Sequence, residues 1–354
     1  MSQQVVAQRK HVGMRSNGLV LLGEVRSRRQ HQETPQGTGS MWAVVLAGGE
    51  GVRLRPLVRR AFGDERPKQF CPLFGSRTLL RQTLDRVGRL IPPDRTVVVG
   101  LESHERYLAQ EFGEPGGPHV LKQPQSRGTA AAVLFAAQWI AARDPRATAV
   151  FFPSDHFVLE EEMFMEQVSD AARFVKQQPK WIVLLGVQPG EPETEYGWIE
   201  PGERVAWTGL RPVYRVRQFL EKPSREVAQT LFVQGGLWNT LVFVAEVGTL
   251  LATGRECVPS LSERIARLSA FWGSEHERWA VRQAYALAPT ANFSQAILEA
   301  CLEPLAVLKV SGLTWCDLGS PDRVLKTLAG CRIEVPASGG GVRLGQGGWT
   351  PWHR

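Results

Sequence analysis

Leu46-Ala47-Gly48-Gly49-Glu50-Gly51-Val52-Arg53-Leu54-Arg55-Pro56-Leu57, joined a little further on by Pro67-Lys68-Gln69-Phe70, is the stretch from which the rest of the chain is read. It comes directly after an apolar run, Trp42 to Leu46, which reads as a buried strand. A strand that ends in a glycine-rich loop, with an arginine in the loop and a lysine soon after, is a way to hold polyphosphate. Glycines let backbone N–H groups turn toward phosphate oxygens at close range. Arg53 and Lys68 would add fixed positive charge. Two commoner phosphate loops do not fit. No Gly-Lys-Ser/Thr follows Gly48 or Gly49, as a Walker loop requires, and Leu54 stands where a dinucleotide fingerprint needs its third glycine. Taken alone, Gly49-Glu50-Gly51 is no more than a tight turn after a strand.

Outward from this stretch the pattern is α/β. Apolar strand-like runs lie at 42–46, 96–100, 148–152 and 182–187, with helical patterns near 78–90, 104–111, 128–143 and 160–177. Such alternation predicts a Rossmann-like, mostly parallel sheet flanked by helices on both faces. Right-handed crossovers place the loops after the strands along one edge, where ligands of open α/β sheets bind. The glycine loop follows the run at 42–46, and Pro153-Ser154-Asp155-His156 follows the run at 148–152, so the two are expected to meet. After residue 190 come shorter strands, Tyr196 to Glu200 and Val213 to Leu220. Helical stretches follow near 224–234, 246–253, 258–271, 276–287 and 294–302. This half is expected to complete the sheet and to build a smaller lid for a second substrate.

Composition narrows the class. The 354 residues are 43% hydrophobic and 22% charged, as in ordinary globular proteins. No run of about 18 apolar residues is present, which argues against a membrane span, and the N-terminus lacks a signal core. Five scattered cysteines without a Cys-x-x-Cys pair support neither a zinc site nor a disulfide framework. Reduced thiols in the cytoplasm are the simple reading. The net charge is +7. Residues 1–40 carry six Lys/Arg against two Glu, so +4 of it sits there and +3 on the body. A mildly basic body suits anionic small ligands and needs no nucleic acid. Residues 1–40 lack periodicity and read as a disordered extension, with Met41 as the natural initiator; N-terminal mass spectrometry of the native protein decides that point. Residues 331–354 read as a flexible Gly-rich tail, leaving 41–330 as the folded domain.

Further strings carry chemistry. Asp155, at a strand's end beside a phosphate loop, is placed to hold Mg²⁺, although a helix-capping or turn aspartate is the commoner use of that position. Asp317, in Trp315-Cys316-Asp317-Leu318-Gly319-Ser320, is a second carboxylate with the same two readings. Glu221-Lys222-Pro223 by itself is a charged turn, and Gly197 in Tyr196-Gly197-Trp198-Ile199-Glu200 a bulge glycine.

Taken in order, the strings resemble the nucleotidyltransferase signature of the sugar-nucleotide pyrophosphorylases. The Pro-Lys-Gln-Phe form is most similar to the mannose-1-phosphate guanylyltransferase branch. The resemblance spans about residues 41 to 328. It implies a nucleotide-diphospho-sugar transferase fold and a reaction between GTP and mannose 1-phosphate, giving GDP-mannose and pyrophosphate. It implies nucleotide contacts at Leu46, Ala47, Gly48, Gly49, Gly51, Gln123, Gly128 and Thr129. Gln123 and Gly128 depart from the family's usual Glu-Pro…Asn-Thr-Ala segment. It implies sugar-phosphate contacts at Gly197, Glu221, Lys222 and Asn239, with Leu241 standing where glycine is frequent. Mg²⁺ would sit on Asp155 and Asp317.

In such a reaction the sugar phosphate is already an anionic nucleophile and needs no general base. The enzyme positions two anions and neutralises the charge that builds up. Arg53 and Lys68 would stabilise the departing pyrophosphate and Lys222 the incoming phosphate. A homodimer stays open. So do two other functions: a UTP- or dTTP-dependent transferase acting on glucose 1-phosphate, and an inactive homologue that senses a sugar nucleotide. Retention of Arg53, Lys68, Asp155 and Asp317 favours activity.

Overall fold

The computed structural model describes residues 40–113 and 116–331. The N-terminal extension as far as residue 39, and the Gly-rich tail from 332, lie outside the described residues. Strand β1 (Met41–Leu46) leads through the glycine loop and a 3-10 turn, Val52–Leu54, into α1 (Arg55–Phe62). Then come α2 (Leu79–Val87), β2 (Thr96–Leu101), α3 (Glu105–Glu111), β3 (His119–Gln123) and α4 (Gly128–Ala141). Strand β4 (Thr148–Pro153), the short β5 (Phe157–Val158), α5 (Glu161–Gln177) and β6 (Ile182–Val187) complete the alternating half. The second half holds the hairpin β7 (Gly197–Thr208) and β8 (Arg211–Glu221), then α6 (Arg225–Val233) and β9 (Leu237–Glu246). Helices α7 (Val247–Cys257), α8 (Pro259–Ala266) and α9 (Glu277–Ala286) follow, then a π-helical turn, Ser294–Leu298. Strands β10 (Leu305–Val310) and β11 (Trp315–Cys316) and helix α10 (Pro321–Cys331) come last.

Among the described residues nine strands form one sheet in the order β3-β2-β1-β4-β9-β6-β10-β8-β7. Pairing is parallel for β1–β2, β1–β4, β2–β3 and β6–β10. Strands β8 and β9 run against the rest. The sheet is therefore mixed, with most strands pointing one way. Strands β2, β4 and β6 are buried along their whole length and β1 along its middle four residues, as central strands covered on both faces require. Residues from α4, α7, α8 and α9 build the core on one face, and residues from α2, α3 and α5 that on the other. Helix α4, Gly-Thr-Ala-Ala-Ala-Val-Leu-Phe-Ala-Ala-Gln-Trp-Ile-Ala, is apolar nearly all round and lies inside.

Three strands differ from the sequence reading. His119–Gln123 has no apolar run because only Leu121 and Gln123 are buried on this edge strand. Leu237–Glu246 and Leu305–Val310, left unassigned by the sequence, insert on either side of β6. The helix expected over 258–271 breaks into α8 and a 3-10 turn, Arg267–Ala270, and that over 294–302 is the π-helical turn. Strand β7 also pairs with β9 through Trp198↔Trp238 and Ile199↔Leu237, which closes β9, β6, β10, β8 and β7 into a ring. No helix among the described residues is long and apolar enough to cross a membrane.

Register positions the site. Leu46 pairs with Pro153, so the glycine loop and Ser154-Asp155 leave the sheet side by side. The ribbon β5–β11 pairs Cys316 with Phe157, which carries Asp317 to the same place from over 150 residues away. Gly186 pairs with Asn239 and Gly197 with Glu221, bringing the second half's strings to that edge.

Candidate active site

The glycine loop is braced from beneath. The Gln69 side-chain amide, 1% exposed, donates from Nε2 to Ala47 O at 2.9 Å and to Gly49 O at 2.8 Å. With these carbonyls turned inward, the loop is free to show N–H groups outward, as an anion cradle must. Gly51 has φ 62°, and a Cβ there would stand 3.0 Å from Lys68 N, so the loop and the Pro-Lys segment touch through a position open only to glycine. Gly51, Arg53, Lys68, Asp155 and Gly319 line one cavity of about 260 Å³.

Lys68 joins the two acidic strings. Its Nζ lies 3.2 Å from Asp155 Oδ2 and donates to the backbone carbonyl of Asp317 at 2.6 Å. The Asp317 carboxylate itself is turned elsewhere. Its Oδ1 accepts from Tyr196 Oη (2.9 Å), Gly319 N (2.9 Å) and Arg323 Nη1 (3.0 Å), and its Oδ2 accepts from the same Arg323 nitrogen at 3.0 Å. Arg323 also pairs with Glu193 at 2.8 Å and lies over the Tyr196 ring at 4.3 Å. Burial works to raise the Asp317 carboxyl, but the positive groups facing it, His156 when protonated, Arg323 and Lys68, and the Gly319 N–H hold it below the usual carboxylate range. Burial pushes the neighbouring His156 ring down to about 4, so it is neutral at physiological pH.

A divalent cation needs oxygen donors. Asp155 offers its carboxylate in the cavity. Asp317 Oδ2 has one recorded donor and keeps a lone pair. Asp155, which lines the cavity, is the available ligand for such an ion, and Asp317 could add one oxygen from behind its contacts with Arg323. No group of three or more His, Cys, Asp or Glu that could hold a metal gathers among the described residues.

The strings of the second half gather around Gly197. A Cβ at Gly197 would stand 2.8 Å from Glu221 Oε2 and 3.4 Å from the Asn239 Cβ, so glycine is what lets these three close up. Burial raises the Glu221 carboxyl, an effect that Lys222 and a hydrogen bond to Ser294 partly offset. Asn239 spends its Oδ1 on Leu241 N at 3.0 Å, leaving its amide N–H groups to face outward or to a ligand. The non-glycine residues with positive φ among those described are Lys222 (51°), Leu241 (56°) and Leu318 (52°). Each belongs to one of the site strings. Left-handed backbone costs an ordinary side chain about 1–2 kcal/mol and persists where surrounding structure enforces it, typically at functional sites.

At the end of β3, Gln123 is 3% exposed and its Oε1 accepts from Tyr285 Oη at 3.1 Å. Its Nε2 lies where a Cβ on Gly48 would be 3.0 Å away. The Thr129 hydroxyl accepts from Phe293 N at 2.8 Å. Gly128 adopts φ 79°, and a Cβ there would overlap the Ala291 carbonyl at 2.2 Å. The 291–294 segment thus ties the Gly128-Thr129 turn to Glu221, a link with no signal in the sequence.

The described part of the structure brings Arg53, Lys68, Asp155, Gly197, Glu221, Lys222, Asn239 and Asp317 to one edge. It adds residues to which sequence reasoning gave no role: Gln69 as the loop's brace, Tyr196 and Arg323 on Asp317, Ser294 on Glu221, and Glu195. The Glu195 Oε2 lies 2.8 Å from Arg53 Nη1 and 3.6 Å from Lys222 Nζ. Of these, only Gln69 and Tyr196 lay within strings that could have pointed to them.

A glycine-rich loop carrying Arg53, with Lys68 beside it, at the carboxyl edge of a mixed α/β sheet is the setting of a class of group-transfer proteins, and comparison with known proteins gives that class its name. The family model for nucleotidyl transferases matches residues 42–331, and the chain belongs to that family. Among curated relatives, a mannose-1-phosphate guanylyltransferase of Sinorhizobium fredii (strain NBRC 101917 / NGR234) is 31% identical over 289 residues, covering 80% of this chain and 54% of the relative. The xanthan biosynthesis protein XanB of Xanthomonas campestris pv. campestris (strain B100) is 30% identical, covering 78% of this chain and 57% of the relative. The chain thus spans a little over half the length of these relatives. A crystal structure from Thermus thermophilus, described as a mannose-1-phosphate geranyltransferase, superposes with a TM-score of 0.67 at 33% identity, covering 79% of this chain and 76% of that one.

Proposed function

We propose that this protein transfers a guanylyl group from GTP to mannose 1-phosphate, releasing pyrophosphate and forming GDP-mannose. The observation that carries this reading is the meeting of two cationic strings on one carboxylate, that of Glu195. Arg53 and Lys68 come from the glycine loop and its Pro-Lys segment, and Lys222 from the end of β8, 3.6 Å from the carboxylate that Arg53 also holds. Two polyanions that must approach each other need cations on both sides. The names of the relatives support the choice of substrates.

In this reading the outward N–H groups of Gly49 to Gly51, with Arg53, bind the β- and γ-phosphates. Lys68, anchored by Asp155 and the Asp317 carbonyl, joins Arg53 in stabilising the departing pyrophosphate. Glu221 and Asn239 accept from and donate to sugar hydroxyls, and Lys222 meets the sugar's phosphate. The sugar phosphate attacks in line as an anion, so no side chain has to remove a proton. Asp155, with Asp317 Oδ2, would hold Mg²⁺, which supplies charge neutralisation at the phosphates when bound. The cytoplasm, where nucleoside triphosphates abound, goes with this reading.

The test is purified protein with Mg²⁺ and a panel of GTP, ATP, UTP and dTTP against mannose 1-phosphate and glucose 1-phosphate, read as pyrophosphate release. GTP with mannose 1-phosphate should give the highest kcat/KM. A preference for another pair overturns the substrates, and no release with any pair favours a sensing role.

A further inference from the structure

The proposed roles leave one side chain at the centre of the site without a task. Glu195 Oε2 sits between Arg53 Nη1 at 2.8 Å and Lys222 Nζ at 3.6 Å. These are the cations of the two opposite halves of the site. The position of Glu195 is set from behind. Glu193 Oε1 accepts from Thr194 N (2.8 Å) and from Glu195 N (3.1 Å), while its Oε2 is pinned by Arg323 at 2.8 Å. The backbone of this turn is thereby fixed, with Tyr196 Oη bonded to Asp317 just beyond it. The Glu195 side chain itself is not fixed: it is 47% exposed and so is free to swing into solvent.

We infer that Glu195 is a built-in competitor for phosphate, a carboxylate that occupies the cationic bridge between Arg53 and Lys222 and is displaced by the phosphates of the ligands. This rests on the assignment of Arg53 and Lys222 to phosphate. A carboxylate oxygen and a phosphate oxygen make the same charge-assisted contacts with guanidinium and ammonium groups, so both cannot hold the same donors. Exposed pairs of this kind are weak. Glu195 therefore lowers the affinity for pyrophosphate modestly without closing the site. It also keeps two like-charged side chains, Arg53 and Lys222, together when no phosphate holds them. The expected consequence is faster escape of pyrophosphate, a product that would otherwise meet several cations at once.

The experiment is calorimetric titration of inorganic pyrophosphate with Mg²⁺ into the full chain at low ionic strength, for wild type, Glu195→Gln and Glu195→Asp. Thermal unfolding serves as the check that each variant is folded. Glu195→Gln should bind pyrophosphate about two- to fivefold tighter, and pyrophosphate should become a stronger product inhibitor by a similar factor. Glu195→Asp keeps the charge but withdraws it by one methylene, so competition through contact predicts binding tighter than wild type. Equal affinity of Glu195→Asp and wild type would reduce the effect to a diffuse field and overturn the inference. So would unchanged or weaker binding in folded Glu195→Gln. If wild type itself binds neither pyrophosphate nor any nucleoside triphosphate, the proposed function fails, and the inference with it.

Discussion

Lys68 is the side chain through which the site is assembled. It comes from the segment after the glycine loop, pairs with Asp155 beyond β4, and bonds the Asp317 carbonyl beyond β11. Arg53 has a different setting, exposed at the cavity and paired with Glu195 at 2.8 Å. Arg53→Ala should therefore leave stability almost unchanged and lower kcat by roughly a hundredfold, the usual loss when one transition-state charge partner goes. Asp155→Ala should lower kcat at least as much; near-normal turnover in either variant removes its assigned role. Glu221 sets a pH dependence. Burial raises its carboxyl above the usual range, and in the proposed role only the ionised form offers both oxygens purely as acceptors to sugar hydroxyls. The KM for mannose 1-phosphate should therefore rise as pH falls through that raised value, sooner than an ordinary glutamate would cause. Ser294 acts against the raising, so Ser294→Ala should move this limb to higher pH, and Glu221→Gln should abolish it. KM profiles of the three proteins side by side cancel the substrate's own titration. A wild-type limb shared unchanged by Glu221→Gln would refute the role.

The turn that opens α4 shows what an element demands of its first residue. Gly128 is left-handed at φ 79° and lies against the Ala291 carbonyl, while Ala130 N donates to that same carbonyl at 3.1 Å. Gly128→Ala has to overcome both the left-handed cost and a steric overlap, so it should destabilise the protein by about 2–4 kcal/mol. The denaturant midpoint measures that, and a change under about 0.5 kcal/mol, the scale of neutral surface substitutions, would contradict the packing. The KM for GTP should rise together with it, because the same turn carries Thr129. The elements themselves were legible in proportion to their periodicity. β1, β2, β4 and β6 are apolar runs at the expected places. β3 is not, since an edge strand keeps polar residues such as Lys122 on its open side. In β9 the polar Asn239 and Thr240 are buried, with Thr240 Oγ1 donating to Leu185 O at 2.7 Å, so burial there follows from hydrogen bonding that hydropathy does not report.

Across the whole molecule, the two halves of the chain are interleaved. β6 lies between β9 and β10, both of which come later in sequence, and β4 meets β9 on the side away from β1. Without the second half, β4 and β6 would be open, apolar edges. A fragment of residues 41–195 should therefore fail to protect the amides of Ile182–Val187 from hydrogen exchange, whereas the full chain protects them. Protection in the fragment would mean that the first half is an independent domain. The interleaving also explains why one edge can gather strings that lie up to about 270 residues apart, from Gly48 to Asp317. Sequence alone determined the glycine-rich loop after β1, the alternating α/β order and the residue types able to handle two anions, because these depend on local backbone freedom, periodicity and charge. Only the tertiary structure decided that Asp317 turns its carboxylate to Arg323 and its carbonyl to Lys68, that the 291–294 segment joins the Gly128-Thr129 turn to Glu221, and that Glu195 stands between the two cations. Those outcomes depend on strand register and on which distant side chains share one cavity, and neither is written in the spacing of any single string.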